Sequence, residues 1–294
     1  DSNGAGDREG VIYATRKGNV EFLAALNRSS GGIMQDGSGT DLLGTEHESW
    51  SGLVKGKLTF GNDNEQSLTL ALSRTDTDLD DTQVAQTGGA TAGFFGTADV
   101  HAIDDTVTLT YNNAFPDSPL LNLTVQLSYT DTATRLRNFS LGAMCGPGSL
   151  QILCDNDAAY TTTTLKVENL ADLSTGAWEN YLTFGVQLSE QERTATSTLG
   201  DLSFHPQGTD RKLGLYVQGE FTLNDTLTII PGLRVDFGDR TPSAASVAAG
   251  ATPTEDTAVS PKLAVLYKLN DNWGLFGSAA RTERMPTLDE LYSF

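Results

Sequence analysis

The sequence predicts an all-β protein, an antiparallel up-and-down transmembrane β-barrel of which about twelve strands are present. Three observations support this prediction: apolar and polar residues alternate along many segments, short and long connections alternate along the chain, and several strands are long. No run of residues approaches the ~18 apolar positions that a membrane-spanning helix needs, and no segment has the periodicity of a long amphipathic helix.

The alternation of apolar and polar residues is clearest near the middle of the chain. One segment places Asn, Thr, Gln and Ser between five apolar residues, Leu121, Leu123, Val125, Leu127 and Tyr129. Because successive side chains of a strand point to opposite faces, such a segment has one apolar and one polar face. The many Thr residues suit the polar face, since Thr is polar and still favours strands.

We expect twelve strands from this pattern. They run approximately over residues 10–16, 19–29, 45–60, 66–77, 102–114, 119–138, 159–170, 177–190, 211–223, 226–239, 257–269 and 272–282. Several exceed by far the ~5–6 residues typical of soluble proteins. A tilted membrane strand needs only ~9–11 residues, so we expect the remainder to project beyond the membrane.

The connections between these strands alternate strictly in length. The short ones lie near residues 17–18, 61–65, 115–118, 171–176, 224–225 and 270–271, and the long ones near 30–44, 78–101, 139–158, 191–210 and 240–256. An up-and-down arrangement then collects all short turns at one end and all long loops at the other, as in outer-membrane barrels. Trp50 and Phe60 share one face ten residues apart, which suits two interfacial aromatic girdles.

Composition excludes several other classes of protein. Asp and Glu number 38 against 19 Lys and Arg, and a net charge of −19 disfavours a nucleic-acid-binding protein. Two Cys and three His leave little for a zinc-finger site. Neither a nucleophile elbow nor a Gly-rich phosphate loop is present, so we do not expect an enzyme.

The last third of the chain carries a recognisable succession of motifs. They are LYVQGEF (215–221), LTIIPGLRVD (227–236), VSPKLAVLY (259–267), WGLFGS (273–278) and RTERMPTLDELY (281–292). The succession resembles the barrel of TonB-dependent outer-membrane receptors, specifically over residues 211–292 and only in architecture over 10–190. The family's Phe-Arg-Ala-Pro box corresponds to 283–286, where Arg284 and Pro286 match while Phe and Ala are replaced.

The resemblance implies a 22-stranded barrel with an N-terminal plug, in the bacterial outer membrane. Residues 1–294 would form a partial barrel domain of about twelve strands, with the plug absent. The implied function is TonB-coupled uptake of an iron complex, most simply haem or a siderophore, as the transported ligand and not an intrinsic cofactor. Implied partners are outer-membrane lipid and lipopolysaccharide, the TonB complex through the missing plug, and the ligand or its carrier protein.

Three alternatives remain open at this point. The Glu-Arg-x-Pro variant of the box is also similar to that of zinc-type receptors of the same family, so a zinc or other metal complex is a second candidate ligand. A small passive barrel of twelve strands would need a closing terminal strand. A secreted acidic β-sandwich would lack the strict alternation of loop lengths.

Five residues are candidates for ligand binding. His47, His101 and His205 fall in long loops or at their junctions with strands, where an imidazole could ligate haem iron or zinc. Tyr181 and Tyr216 fall on the polar face, where they could stack on a ligand or pack in the lumen. The identity of any bound metal is unknown from the sequence.

Two further sets of residues have a structural interpretation. Cys145 and Cys154 lie close together in one long loop, and outside the cytosol such a pair most often forms a disulfide. Arg234 and Asp236 face inward on one strand, where paired charges could line a polar lumen and hold a plug by salt bridges.

Overall fold

Twelve long antiparallel strands, with three short ones, make up most of the described part of the protein. The computed structural model describes residues 3–84, 95–202, 205 and 207–292. The strands are β1 (Gly6–Lys17), β2 (Val20–Gly31), β3 (Met34–Gln35), β4 (Asp41–Leu42), β5 (His47–Phe60), β6 (Gln66–Gln83), β7 (Thr97–Asn113), β8 (Leu123–Arg137), β9 (Asn156–Asp172), β10 (Trp178–Ser197), β11 (Gly200–Asp201), β12 (Gly208–Leu223), β13 (Leu227–Pro242), β14 (Thr254–Asn270) and β15 (Trp273–Ala280). Two short helices are α1 (Ala244–Ala248) and α2 (Leu288–Tyr292).

The long strands form one sheet in which each strand pairs with its neighbours in the chain. The order is β1-β2-β5-β6-β7-β8-β9-β10-β12-β13-β14-β15, while β11 extends β10 and β3 pairs separately with β4. This is the predicted up-and-down arrangement. Within the described residues no ladder joins β1 to β15, so the sheet keeps two unpaired edges and the barrel is not closed.

Most strands extend further toward the long connections than the alternation of apolar residues predicts. β6 continues to Gln83, β7 begins at Thr97, and β10 continues to Ser197. In these extensions the apolar positions are replaced by charged ones, such as Asp76 and Asp78 on β6. Backbone pairing continues there, although the alternation of apolar and polar residues ends. These parts of the strands lie beyond the apolar belt, which is the band of apolar side chains around the middle of the sheet.

The register gives the sheet one apolar and one polar face. Phe184, Val217 and Leu233 are direct neighbours on β10, β12 and β13, and all three are exposed. The next residues along the strands, Thr183 and Gln218, lie on the other face. In a barrel of this type the apolar face contacts lipid and the polar face lines the lumen. In the described part of the chain, helices are too short and too polar to cross a membrane.

Short turns close one end of the sheet with tight geometry. Asn224 and Asp225 connect β12 to β13, and both have positive φ (50° and 53°), as the two central residues of a type I′ hairpin turn require. Trp178 and Trp273 begin β10 and β15 directly after two of these turns. Trp50 and Phe60 lie on the apolar face toward opposite ends of β5, at the heights expected for aromatic girdles.

We expect the apolar and the polar face of the sheet to differ in how well they tolerate an added charge. We expect Val217→Lys to destabilise the protein in lipid vesicles by about 2–4 kcal/mol, because an ammonium group on the lipid face near mid-height loses its hydration. Thr183→Lys is the matched control, since Thr183 lies on the polar face opposite Gln218, next to Val217. Denaturant unfolding from vesicles measures both; equal losses would contradict the assignment of the faces.

Candidate functional site

A network of charged and phenolic side chains lies on the polar face, midway along four neighbouring strands. Glu168, Gly185, Tyr216 and Arg234 lie side by side on β9, β10, β12 and β13. The Tyr216 hydroxyl donates a hydrogen bond to Glu168 Oε2 at 2.8 Å, and Lys166 Nζ lies 2.9 Å from the same carboxylate oxygen. Each buried or half-buried charge therefore has a partner, which offsets its loss of hydration.

The neighbouring ion pair completes this network. Arg234 donates from Nε and Nη2 to the Asp236 carboxylate, with distances between 2.6 and 2.9 Å. Its guanidinium centre lies 5.7 Å from the Tyr216 ring, and Lys166 Nζ lies 5.8 Å from the same ring. Two cations thus flank one aromatic ring, an arrangement stabilised by cation–π attraction.

Gly185 lies on β10, between β9 and β12, and its lack of a side chain allows Tyr216 to reach Glu168. A Cβ added to Gly185 would lie 2.5 Å from the Tyr216 hydroxyl and 2.5 Å from the Val167 carbonyl oxygen. Any larger side chain would displace the ring or the backbone. The network is therefore specified by a glycine as much as by its charged residues.

Near the long-loop end, the segment after β15 folds back over the polar face. Thr287 and Glu290 form a reciprocal capping box at the start of α2: the Thr287 amide donates to Glu290 Oε2 at 2.9 Å and the Glu290 amide to Thr287 Oγ1 at 3.3 Å. Arg284 donates to both carboxylate oxygens of Glu290, at 2.6 and 2.7 Å. These contacts lower the pKa of Glu290 to about 2. The family-like Arg284 thus fixes the turn that leads into α2.

Tyr292 and Leu288 anchor α2 against the strands. Both side chains are almost fully buried and pack with Ala251. The Tyr292 hydroxyl lies 3.0 Å from the Thr252 carbonyl oxygen and 3.3 Å from that of Arg240. Because α2 has only five residues, these anchors and the capping box hold it in place.

Asp289 of α2 enters a cradle of polar side chains, formed by Arg193, Tyr160 and His205. It forms an ion pair with Arg193, and the Tyr160 hydroxyl donates to Asp289 Oδ2 at 3.1 Å. The Arg193 guanidinium lies 4.7 Å from the Tyr160 ring, and its Nη2 lies 3.2 Å from Nδ1 of His205. The Arg193 side chain is 7% exposed. This cradle can bind and orient a carboxylate.

The second buried cation nearby is already neutralised by carboxylates. Arg240 is completely buried, and its Nη1 donates to Asp256 Oδ2 at 2.8 Å while Nε lies 3.6 Å from Asp210 Oδ1. Asp210 also pairs with Lys212 at 2.6 Å. These carboxylates offset part of the desolvation cost of the Arg240 guanidinium, whose Nε and Nη2 make no hydrogen bond within the described residues.

The three predicted histidines do not come together. His47 begins β5 and contacts the Thr45 carbonyl oxygen, whereas His205 contacts Arg193 in the cradle. His101 lies inside β7 and not at its end, since the strand begins at Thr97. A shared haem or zinc site built from these three side chains is therefore not formed in this structure.

His101 belongs to a different group that can hold a metal ion. Its Nδ1 lies 2.7 Å from Asp78 Oδ1 and 3.5 Å from Asp76 Oδ1, and the three ligand atoms lie within 4.8 Å of one another. Asp76 and Asp78 share the face of Leu72, which is the apolar one. The group is thus on the outer surface, beyond the apolar belt, and does not line the lumen.

The two predicted tyrosines occupy different heights on the polar face. Tyr216 belongs to the network described above, whereas Tyr181 lies near the short-turn end, opposite Asp172 and Glu220. Cys145 and Cys154 are joined by a disulfide within the connection from β8 to β9. Sequence reasoning did not find Arg193 or Asp289, because their proximity depends on the fold of a segment that is distant in the chain.

Gly185 gives a direct test of the network. We expect Gly185→Ala to destabilise the protein by about 1–3 kcal/mol, because the new methyl group displaces Tyr216 or the β9 backbone. Gly56→Ala is the control, since a Cβ at Gly56 would meet nothing within 4 Å. Denaturant midpoints compare the two, and an equally small effect at both positions would refute the close approach at Gly185.

The lowered pKa of Glu290 predicts that the stability of the α2 segment depends on pH. Its pKa falls from 4.5 to about 2 on folding, so its contribution is complete above about pH 4.5 and is lost as the pH falls toward 2. We expect amides 287–292 to exchange hydrogen faster in Glu290→Gln than in the wild type at pH 6, with the difference vanishing near pH 2. Glu255→Gln, on the outer face, is the control; a difference that does not change with pH would contradict this linkage.

Solved structures with a similar fold include a hemophore receptor and transporters of iron and copper. A Serratia marcescens hemophore receptor, HasR, in complex with its hemophore and haem, has a TM-score of 0.76 at 18% identity, covering 97% of this chain and 44% of that one. The FrpB iron transporter of Neisseria meningitidis has a TM-score of 0.74 at 16% sequence identity, and the match covers 100% of this chain and 48% of that one. The copper transporter OprC has a TM-score of 0.72 at 16% sequence identity, and the match covers 96% of this chain and 44% of that one. The chain therefore spans less than half the length of these structures.

The family assignment rests on sequence as well as on fold. No curated protein sequence matches the chain. The family model for the TonB dependent receptor-like β-barrel matches residues 36–294, which is most of the sequence. Members of this family are receptors of the bacterial outer membrane and not enzymes. The chain therefore belongs to the TonB-dependent receptor-like β-barrel family.

Proposed function

We propose that this chain is part of the barrel domain of a receptor that takes up an iron complex, haem or a siderophore, by TonB-coupled transport. The match of the family model over residues 36–294 is the observation that carries the proposal. The similar structures support the general class of cargo, since HasR is a hemophore receptor seen with haem, FrpB is an iron transporter and OprC is a copper transporter. In this proposal all 294 residues belong to one barrel domain.

The two faces of the sheet have distinct roles in this proposal. The apolar face contacts lipid and lipopolysaccharide, and the long loops capture the ligand or its carrier protein. The polar face contacts an N-terminal plug of the receptor, through which TonB acts. Paired charges such as Arg234–Asp236 and Lys166–Glu168 suit that contact, because they offer both signs of charge without an uncompensated buried ion.

Growth under iron limitation tests the proposal. The complete receptor gene is expressed in a host that lacks its own haem and siderophore receptors, and haem or a ferric siderophore is the sole iron source. We expect growth on one of them, and loss of that growth when TonB is deleted. A zinc-limited culture tests the alternative cargo, a zinc or other metal complex.

Two results would contradict the proposal. Growth that persists without TonB would indicate a passive barrel. No uptake of any iron complex, together with TonB-dependent growth on zinc, would replace iron by another metal as the cargo.

A further inference from the structure

The cradle around Asp289 is a built binding site for a carboxylate. Arg193 and Tyr160 are direct register partners on β10 and β9, and both side chains lie on the polar face. The residue opposite Arg193 on β12 is Gly208, which contributes no side chain. The site therefore combines a guanidinium and a phenol at the wall of the lumen, near the long loops.

Burial makes this site selective for an anion. The Arg193 side chain is 7% exposed, and its Nε has no hydrogen-bond partner among the residues that the structure describes. A buried guanidinium requires a negative partner, because a buried charge and a donor without a hydrogen-bond partner both lose the hydration that they have in water. A planar carboxylate suits the fork of guanidinium donors.

Asp289 fills the cradle but is not needed to hold its own segment. Its side chain is 40% exposed, unlike that of Arg193. The capping box, the Arg284–Glu290 ion pair and the buried Tyr292 anchor α2 independently. Asp289 can therefore leave the cradle without unfolding α2.

We propose that this cradle is a subsite for a carboxylate group of the transported ligand, and that Asp289 occupies it until the ligand displaces it. The inference rests on the proposed function and names the chemistry of its ligand. Two sources offer the same chemistry, the propionates of haem and the carboxylates of a citrate-type iron chelate. Asp289 acts as an internal competitor that sets the affinity.

Direct binding to the complete purified receptor tests the subsite. The probes are ferric citrate, haem, haem dimethyl ester and a ferric tris-catecholate complex. We expect Asp289→Asn to bind the carboxylate probes ~10-fold more tightly, since the competing charge is gone, and Arg193→Gln to bind them ~10-fold more weakly, each a change of about 1.4 kcal/mol. Binding of the ester and of the catecholate should not change. Whether haem or ferric citrate responds distinguishes the two sources.

Matched variants separate this subsite from general effects of charge. Arg211→Gln removes an arginine that pairs with Glu190 on the outer face, so it should leave all affinities unchanged. Arg193→Lys should restore part of the affinity lost in Arg193→Gln. Asp289→Asn keeps the test valid even if Arg193→Gln does not fold.

The outcomes distinguish failure of the subsite from failure of the proposed function. Equal affinities of the wild type and Asp289→Asn for both carboxylate probes, or no binding of either, would overturn the subsite even where TonB-coupled uptake is intact. Altered carboxylate binding without any TonB-dependent uptake would uphold the subsite and refute the proposed function.

Discussion

Backbone hydrogen bonding in lipid is the constraint on which the rest of this structure depends. A strand that crosses a membrane finds no water for its N–H and C=O groups, so every strand must pair along its whole length. The long strands between β1 and β15 meet this demand on both sides through antiparallel neighbours that are also neighbours in the chain, whereas β1 and β15 pair on one side only within the described residues. The same pairing fixes the register, and a slip of one residue would move Val217 from lipid to lumen.

A fixed register turns the polar face into a surface of defined chemistry. Glu168, Tyr216 and Arg234 reach one another only because the strands hold them at one height and Gly185 leaves space between them. Their charges are mutually paired, so the wall is polar without carrying unpaired ions. Such a surface suits contact with a plug or a hydrated ligand better than it suits covalent chemistry.

The strands continue beyond the apolar belt, and this extension brings together a second group of polar side chains. Arg193 lies on the extension of β10, beyond the predicted strand end at residue 190, and its register partner is Tyr160 on β9. There the segment after β15 returns to the lumen wall. Arg284 fixes its turn through Glu290, and Asp289 pairs with Arg193 of the sheet. The family-like box thus has a local physical role, which is to set the turn that delivers Asp289 to Arg193.

The sequence alone determined the twelve strands, their order and their two faces, because alternation and loop lengths are local signals. It also placed Tyr216 and Arg234 on the polar face correctly. It underestimated the strand ends near Gln83 and Ser197, where charged residues interrupt the hydrophobic pattern but not the pairing. Only the tertiary structure decided that His101 faces outward beside Asp78 and that Asp289 meets Arg193, because each contact depends on strand register or on a returning segment, and neither leaves a periodic signal in the sequence.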